Sequence, residues 1–418
     1  MSNFRIILKN RDFLLLWSGQ IISQIGDRLN QMALIAFVYL RAPGSSIEIA
    51  KILSFTIMPV FIIGPIAGAY VDRWNRRQTM FTCDFLRAIL ILFIPLFLFH
   101  AKSLTWVIYL IIFIVFSISR FFVPAKLAII PDLVKKEELL MANSLINTTG
   151  MIAAILGFGI SGIIVEKIGA QGGFYLDTFS FLVSGTLIFM IAKRTGLSLN
   201  LKKVGKEFVG SIRKSLFQEI KEGILYFIKN KEIRLTTGII FVLWSALGAV
   251  YVVAIVFIQE SLHSATKDLG LLAMFLGLGL LCGSLFYGRF GQRLSQYKII
   301  FVSLILSGLM LIVFALGIER YPSLSLAATL SFALGLFIAP IMIASNTIIH
   351  NVSHNHMMGK IFSSLEIVMH LGFVIFMFVT SFWAEKVNPT IILVTAGFIV
   401  TNLGVINLIT DRRKKWSI

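Results

Sequence analysis

Long apolar runs, separated by brief polar interruptions, dominate the chain from end to end. A bilayer hydrocarbon core about 30 Å thick is crossed by roughly 20 apolar residues in a helix. Twelve stretches meet that requirement, near residues 13–40, 47–71, 79–100, 104–123, 142–165, 173–193, 236–260, 268–290, 298–318, 324–346, 361–383 and 389–410. Several connections are as short as Ala101-Lys102-Ser103 or Val387-Asn388-Pro389, so consecutive helices must run antiparallel. The pattern predicts an all-α polytopic membrane protein. The first run starts near Phe13 and is too long for the apolar region of a signal peptide, so it reads as a retained first helix.

One interruption is long. Residues 194–235 carry Lys202, Lys203, Lys206, Arg213, Lys214, Lys221, Lys229, Lys231 and Arg234, while Phe208, Ile212, Phe217, Ile220, Ile224 and Phe227 recur at near-helical spacing. A helix with that pattern lies in a membrane interface, its apolar side among acyl chains and its lysines near anionic headgroups. The chain thus divides into a six-helix half at 1–193, a basic amphipathic linker at 194–235 and a second six-helix half at 236–418. The halves echo one another. Gly64-x3-Gly68 closes the second span and Gly279-x3-Gly283 sits at the matching place in the eighth. Pro124 follows the fourth and Pro340 lies in the tenth. Ala142-Asn143-Ser144-Leu145 opens the fifth and Phe362-Ser363-Ser364-Leu365 the eleventh. Two pseudo-symmetric halves are the architecture of transporters that hold their site between repeats.

Composition agrees. Of the 418 residues, 57% are hydrophobic and only 14% charged, with a mean hydropathy of +0.89, well above the soluble range. The net charge of +18 would point to nucleic acid on a soluble domain. Here the basic residues sit between apolar runs, and no basic stripe lies on a soluble fold. With the N-terminus inside, the outer segments hold Arg41, Lys51, Lys102, Lys167, Lys267, Arg320 and Lys386, Arg28 and Arg87 lie within spans, and nearly all the other basic residues fall inside. The positive-inside rule then places both termini in the cytoplasm. The two cysteines, Cys83 and Cys282, fall in or beside apolar runs and support no disulfide framework.

The first span carries an unusual stripe. Gln20, Ser23, Gln24, Asp27, Asn30 and Gln31 fall within an arc of roughly 120° at 100° per residue. Lipid cannot solvate such groups, so the expectation is that they line a wet central cavity. Asp27, near mid-depth, is a candidate proton-binding carboxylate, because ionisable groups inside a membrane mark function by default. Its plainer reading is a fixed ion pair with Arg28, Arg87 or another base. Arg28, at the stripe's edge, either binds an anionic headgroup or neutralises Asp27. Asp84 and Arg87, three apart, form a structural pair on one face. Glu366 and His370, four apart, are candidates for a titratable pair or for a satisfied contact near the cytoplasmic mouth. Trp244 and Tyr251, seven apart, face either the cavity or their packing neighbours. His350-x3-His354-x-His356 lacks the Cys or carboxylate partners a metal site favours, and neither a metal nor an organic cofactor is expected.

The most specific local signal is Gly68-Ala-Tyr-Val-Asp72-Arg73-Trp-Asn-Arg76-Arg77. Gly68 permits close helix approach, Asp72 suits the positive end of another helix, and Arg73, Arg76 and Arg77 suit carboxylates or lipid phosphates. This segment resembles the G-x3-D-R-x2-R-R/K loop of the major facilitator superfamily, and helix count, central loop and half-repeat extend the resemblance over the whole chain. The resemblance implies the major facilitator fold, a monomer, and a cytoplasmic latch at Gly68, Asp72, Arg73 and Arg77 that stabilises the outward-open state. In the second copy Tyr287 stands where the Asp would be. Phe122-Val-Pro124-Ala125-Lys126, Pro131-Asp132-Leu133-Val134, Gly26-Asp27 and Gly359-Lys360-Ile361-Phe362-Ser363 resemble the subgroup of macrolide-type drug exporters, siderophore exporters and the lysophospholipid transporter. Where drug:proton antiporters carry Gly-Pro-x-x-Gly-Gly in the fifth helix, this chain has Gly157-Phe158-Gly159-Ile-Ser-Gly162.

The expected function is therefore secondary transport by alternating access in the cell (inner) membrane. One form is proton-coupled efflux of amphipathic small molecules, driven by the proton gradient through Asp27. The other is movement of lysophospholipid, with Arg28 or Arg87 meeting the phosphate. An enzyme is disfavoured, since the chain lacks a His-Glu-x-x-His, a Gly-x-Ser-x-Gly and a P-loop.

Overall fold

The computed structural model describes residues 7–64, 67, 74–100, 105–192, 231–291, 295–352 and 358–413, and among them regular structure is helical throughout. The helices are α1 (Arg11–Arg41), α2 (Ser46–Ile62), α3 (Arg76–His100), α4 (Thr105–Leu133), α5 (Leu139–Phe189), α6 (Lys231–Leu262), α7 (Lys267–Phe290), α8 (Gln296–Arg320), α9 (Leu324–Val352), α10 (Met358–Ala384) and α11 (Pro389–Arg413), with a single 3-10 turn at Lys136–Glu138 before α5. Among the described residues, nine stretches are long and apolar enough to cross a membrane. The polar stripe keeps α1 off that list, and only 17 residues of α2 are described. Gly68, Asp72, Arg73 and nearly all of the 194–235 linker lie outside the described residues.

The fifth and sixth predicted spans follow one another with hardly a loop between them and are labelled together as α5. Its 51 residues suffice for two crossings of a bilayer core at 1.5 Å per residue. The two arms join at Gly169, whose φ of 75° and ψ of 172° are not helical. Contacts with α1 show what that break does. Trp17 donates from Nε1 to Thr149 Oγ1 at 3.1 Å, Gln24 lies against Gly150, and the Arg28 stem crosses Gly157, so the first arm of α5 runs parallel to α1. Gly19 meets Ser184, Gly26 meets Ser180, and Ala33 meets Gly173, so the second arm runs the other way. Gly169 reverses the chain, and α1 lies between the two arms.

The fourth span also exceeds expectation, since α4 continues through Pro124 and Pro131 to Leu133. A proline frees carbonyls one turn back, and in membrane helices other donors take them up. Near this end Arg76 donates from Nη1 to Ala128 O at 2.9 Å.

The chain separates into two compact units, one of Met1–Phe37 with Lys51–Phe217 and one of Val38–Ala50 with Gln218–Ile418. In the first, charged and polar groups turn inward. α3 buries Asp84, Arg87, Ala88 and Ile91 and exposes Leu86, Ile89 and Phe93, the reverse of a soluble helix and the arrangement lipid requires. One end is closed by a cluster of Ile7, Phe13, Leu16, Met80, Phe122, Ile129, Leu133 and Ile188. Asn10 caps α1 there, accepting at Oδ1 from the Asp12 and Phe13 amides and donating from Nδ2 to Leu133 O at 2.7 Å. In the second unit backbones approach closely across small residues. α7 crosses α9 at Gly279, Gly283 and Gly335, and α8 crosses α11 at Gly308, Gly397 and Gly404. Any Cβ at these six glycines would overlap a neighbouring backbone atom.

Gly169→Ala is expected to cost about 1–3 kcal/mol, the penalty for a side chain in a conformation reserved for glycine. Thermal unfolding of purified protein in detergent measures it. Gly64→Ala, with nothing within 4 Å of the added Cβ, serves as the control, and equal melting of the two variants removes the strain explanation.

Candidate functional site

The polar stripe on α1 is the natural place to build a site, because the first unit packs around it. Gln20, Ser23 and Asn30 are buried, while Gln24, Asp27, Arg28 and Gln31 are half-buried. The stripe therefore does not all face water, as its periodicity suggested. Much of it is covered by α5, whose glycines and serines leave room for α1 to approach.

Three interactions organise this interior. First, Asn30 donates from Nδ2 to Asp177 Oδ2 at 2.7 Å, joining α1 to the second arm of α5. Asp177 is fully buried, and Gly26 makes room for it. A Cβ on Gly26 would lie 2.6 Å from Asp177 Oδ1 and would collide with Ser180 Oγ. Second, Arg87 pairs with Asp84 one turn away through Nη2 and Oδ1, as the spacing predicted. Asp84 also accepts from Ser184 Oγ at 2.7 Å, and Arg87 donates to Ser119 Oγ at 3.3 Å. The guanidinium lies between two rings, 4.6 Å from the Phe122 centroid and 4.1 Å from that of Phe181, so π-faces replace water on both sides. Third, Arg28 donates from Nη1 to Gln31 Oε1 at 2.7 Å and stacks 4.7 Å from the Phe158 centroid. Phe158 thus holds this arginine.

Asp27 differs from these. Its carboxylate takes no hydrogen bond among the described residues, yet it lies within electrostatic reach of Arg87, Arg28 and Lys126. Three carboxylates, Asp27, Asp84 and Asp177, therefore share one helical unit with three cations, Arg28, Arg87 and Lys126.

Of the segment expected to act as a latch, Arg76 and Arg77 are among the described residues. Arg76 pairs with Asp132 at 2.7 Å at a partly exposed site, and Arg77 donates to the Phe189 carbonyl while lying over the Phe81 and Phe189 rings. They tie the start of α3 to the ends of α4 and α5. In the second unit, the Trp244 and His370 ring centroids are 5.3 Å apart, and Phe373 lies 6.3 Å from Trp244 and 5.8 Å from Tyr251. His370 Nδ1 contacts the backbone carbonyl of Glu366 at 2.8 Å, so the predicted pair meets through the main chain. Among the described residues, no three His, Cys, Asp or Glu side chains converge to hold a metal.

Sequence reasoning passed over Asp177 as a site residue and used Lys126 only as part of a motif. The signal that singled out Asp27, an ionisable group inside an apolar span, applied equally to Asp177.

Removing one partner of a buried ion pair strands the other charge and typically costs about 3–5 kcal/mol, while replacing both by apolar groups costs far less. Asp84→Leu alone is expected to destabilise the protein by that amount, and Asp84→Leu with Arg87→Met by much less. A double-mutant cycle of thermal unfolding in detergent measures the coupling, and additive losses would show the pair contributes little.

Comparisons with known proteins agree with this architecture. The model of the transmembrane secretion effector family matches residues 6–401. The MFS-type transporter YkuC of Bacillus subtilis is 27% identical over 367 residues, 85% of this chain and 81% of that one. Macrolide efflux protein A of Streptococcus pyogenes is 19% identical over 406 residues, 96% of each chain. The crystal structure of a bacterial homologue of the iron transporter ferroportin, in an inward-facing state, superposes with a TM-score of 0.73 at 13% identity, covering 95% of this chain and 98% of that one, and so shares the fold. With nearly its whole length matched, the chain belongs to the transmembrane secretion effector family of the major facilitator superfamily and is a multi-pass membrane transporter.

Proposed function

We propose that this transporter exports amphipathic, macrolide-like small molecules in exchange for protons, by alternating access. The observation that carries this reading is Asp27. It is a carboxylate inside a membrane span, half-buried, without a hydrogen bond among the described residues and surrounded by the fields of Arg28, Arg87 and Lys126. A structural carboxylate in a bundle is clamped, as Asp84 is. One left unclamped among cations is suited to exchanging a proton. The macrolide efflux relative supports the substrate class, and the unit's many aromatic and aliphatic side chains suit hydrophobic cargo. Gln24 and Gln31, half-buried on the α1 stripe, would present polar contacts to it.

A second reading, lysophospholipid movement, rests on Arg28. Its single hydrogen bond goes to neutral Gln31, and no carboxylate pairs with it among the described residues, which leaves donors for a phosphate. Arg87, enclosed by Asp84 and two rings, no longer competes for that role. The protein resides in the cell (inner) membrane as a monomer with both termini cytoplasmic.

Proteoliposomes with an acidic lumen are expected to accumulate radiolabelled erythromycin. Dissipating the gradient, or Asp27→Asn, should lower accumulation at least tenfold. Movement of a fluorescent lysophosphatidylethanolamine that survives loss of the gradient and fails in Arg28→Gln would replace this reading with the lipid one. For topology, a reporter fluorescent only in the cytoplasm is expected to light up at the C-terminus, and a dark fusion reverses the orientation.

A further inference from the structure

Asp177 is the buried ionisable group that the transport reading leaves unused, and its surroundings do not suit an anion. It is 0% exposed and sits at mid-span in the second arm of α5, where water cannot reach it. Enclosing an ionised carboxylate is costly unless a cation or several donors compensate. Among the described residues, no Lys or Arg lies within ion-pair distance of Asp177. Its Oδ2 accepts one hydrogen bond, from Asn30 Nδ2 at 2.7 Å. Its Oδ1 faces Ser180 Oγ at 3.4 Å, but that hydroxyl has a single hydrogen and a shorter bond for it, to the Asp177 backbone carbonyl at 2.8 Å. Ser180 is thus at most a weak, shared donor to Oδ1. A proton on Oδ1 directed at the Ser180 oxygen would turn this long contact into a full hydrogen bond.

The charged groups around Asp177 point the same way. From α1, Asp27 acts on it as a like charge, and from α3 Arg87 opposes that effect. Arg87 is already engaged by Asp84, and Asp84 in turn by Ser184. Arg28 and Lys126 act on Asp27 instead. Arg28, Arg87 and Lys126 thus all act on Asp27, while the hydrogen-bond partners of Asp177 among the described residues are neutral Asn30 and Ser180.

Building on the proton-coupled reading above, we infer that Asp177 is a second proton site, electrostatically linked to Asp27 and lodged where α1 and the second arm of α5 meet. The proton rests on Asp177 Oδ1 and is donated to Ser180 Oγ. When Asp27 is neutralised by the incoming proton or by a cationic substrate, the repulsion that favours the protonated acid at Asp177 is relieved. As alternating access opens this interface to water, the resident proton passes to a water molecule and leaves as H3O⁺, and the carboxylate stays bonded to Asn30. Asn30 and Gly26 are positioning residues, the first holding Oδ2 and the second allowing α1 close enough to do so.

Infrared difference spectroscopy on the full-length protein in lipid nanodiscs tests this directly. Wild type at neutral pH is expected to show the carbonyl stretch of a protonated carboxylic acid, absent in Asp177→Asn and weakened in Asp27→Asn, which removes the negative charge that favours the protonated acid. Should Asp177→Asn fail to fold, Ser180→Ala supplies the second measurement, since losing the acceptor oxygen should shift the band without abolishing it. In proteoliposomes, Asp177→Asn is expected to lose gradient-driven erythromycin accumulation at least tenfold while equilibrium counterflow stays within about twofold of wild type, a split that a merely structural role would not produce. A band that survives in Asp177→Asn, or is missing from wild type, overturns the proposal. So does a variant that keeps gradient-driven accumulation, or a sodium gradient that replaces the proton gradient. If wild type accumulates no erythromycin, the efflux reading falls, and the band and its response to Ser180→Ala still decide whether Asp177 holds a proton.

Discussion

Everything in the first unit follows from having no water available to the polar face of α1. Lipid offers no hydrogen bonds, so each polar group on that helix must find a protein partner, a cavity or an opposite charge. The two arms of α5 answer this requirement for much of the stripe. Their glycines and small serines bring backbone and hydroxyl groups against α1 from both sides, and the reversal at Gly169 lets one element do both. The apolar side chains that a soluble protein would bury are turned outward on α3, because in a bilayer the polar groups are the ones that need enclosure.

Within that enclosure the charges are not equivalent. Arg87 is fixed on every side, by a carboxylate, a hydroxyl and two rings, and behaves as a part of the framework. Arg28 is held by its stem and by Phe158 while keeping donors in reserve. Asp27 feels three cations and touches none of them. Asp177 touches only neutral groups. A graded set of this kind, from fully compensated to barely compensated, allows one proton or one ligand to redistribute charge without dismantling the bundle. The same economy appears in the second unit, where close crossings at glycine make the frame and the aromatic cluster of Trp244, Tyr251 and Phe373 lies apart from those crossings.

Much of this was legible in the residues alone, for identifiable reasons. Span positions follow from apolar run length, and the Asp84–Arg87 pair from a three-residue spacing that any helix brings together. Asp27 announced itself as an acid in an apolar run. What periodicity does not carry is the identity of a partner on another helix. Nothing local to Asn30 indicates that its amide meets a residue on the far arm of α5, and nothing near Phe158 indicates that its ring supports Arg28. The stripe was read as facing water because a polar arc on an isolated helix looks the same whether a cavity or a neighbouring helix covers it. The reversal between the fifth and sixth spans was legible as a break between two apolar runs, but its placement at Gly169 was not, because a glycine that ends a helix and one that merely packs tightly are spelled alike.

The clasp around α1 has a consequence for how the protein is made. Asn30 and Asp177 are separated by 147 positions in the chain, and at a synthesis rate of 5–20 residues per second that gap lasts about 7–30 s. For that interval α1 is in or near the membrane with its amides and carboxylate unmatched, and its own apolarity is too low to hold it there firmly. Either the insertion machinery shelters the first helix until the second arm of α5 arrives, or α1 waits at the interface and moves inward with it. The helix made first is thus among the last to be completed, and the quality of the mature fold depends on a partner the ribosome has yet to translate.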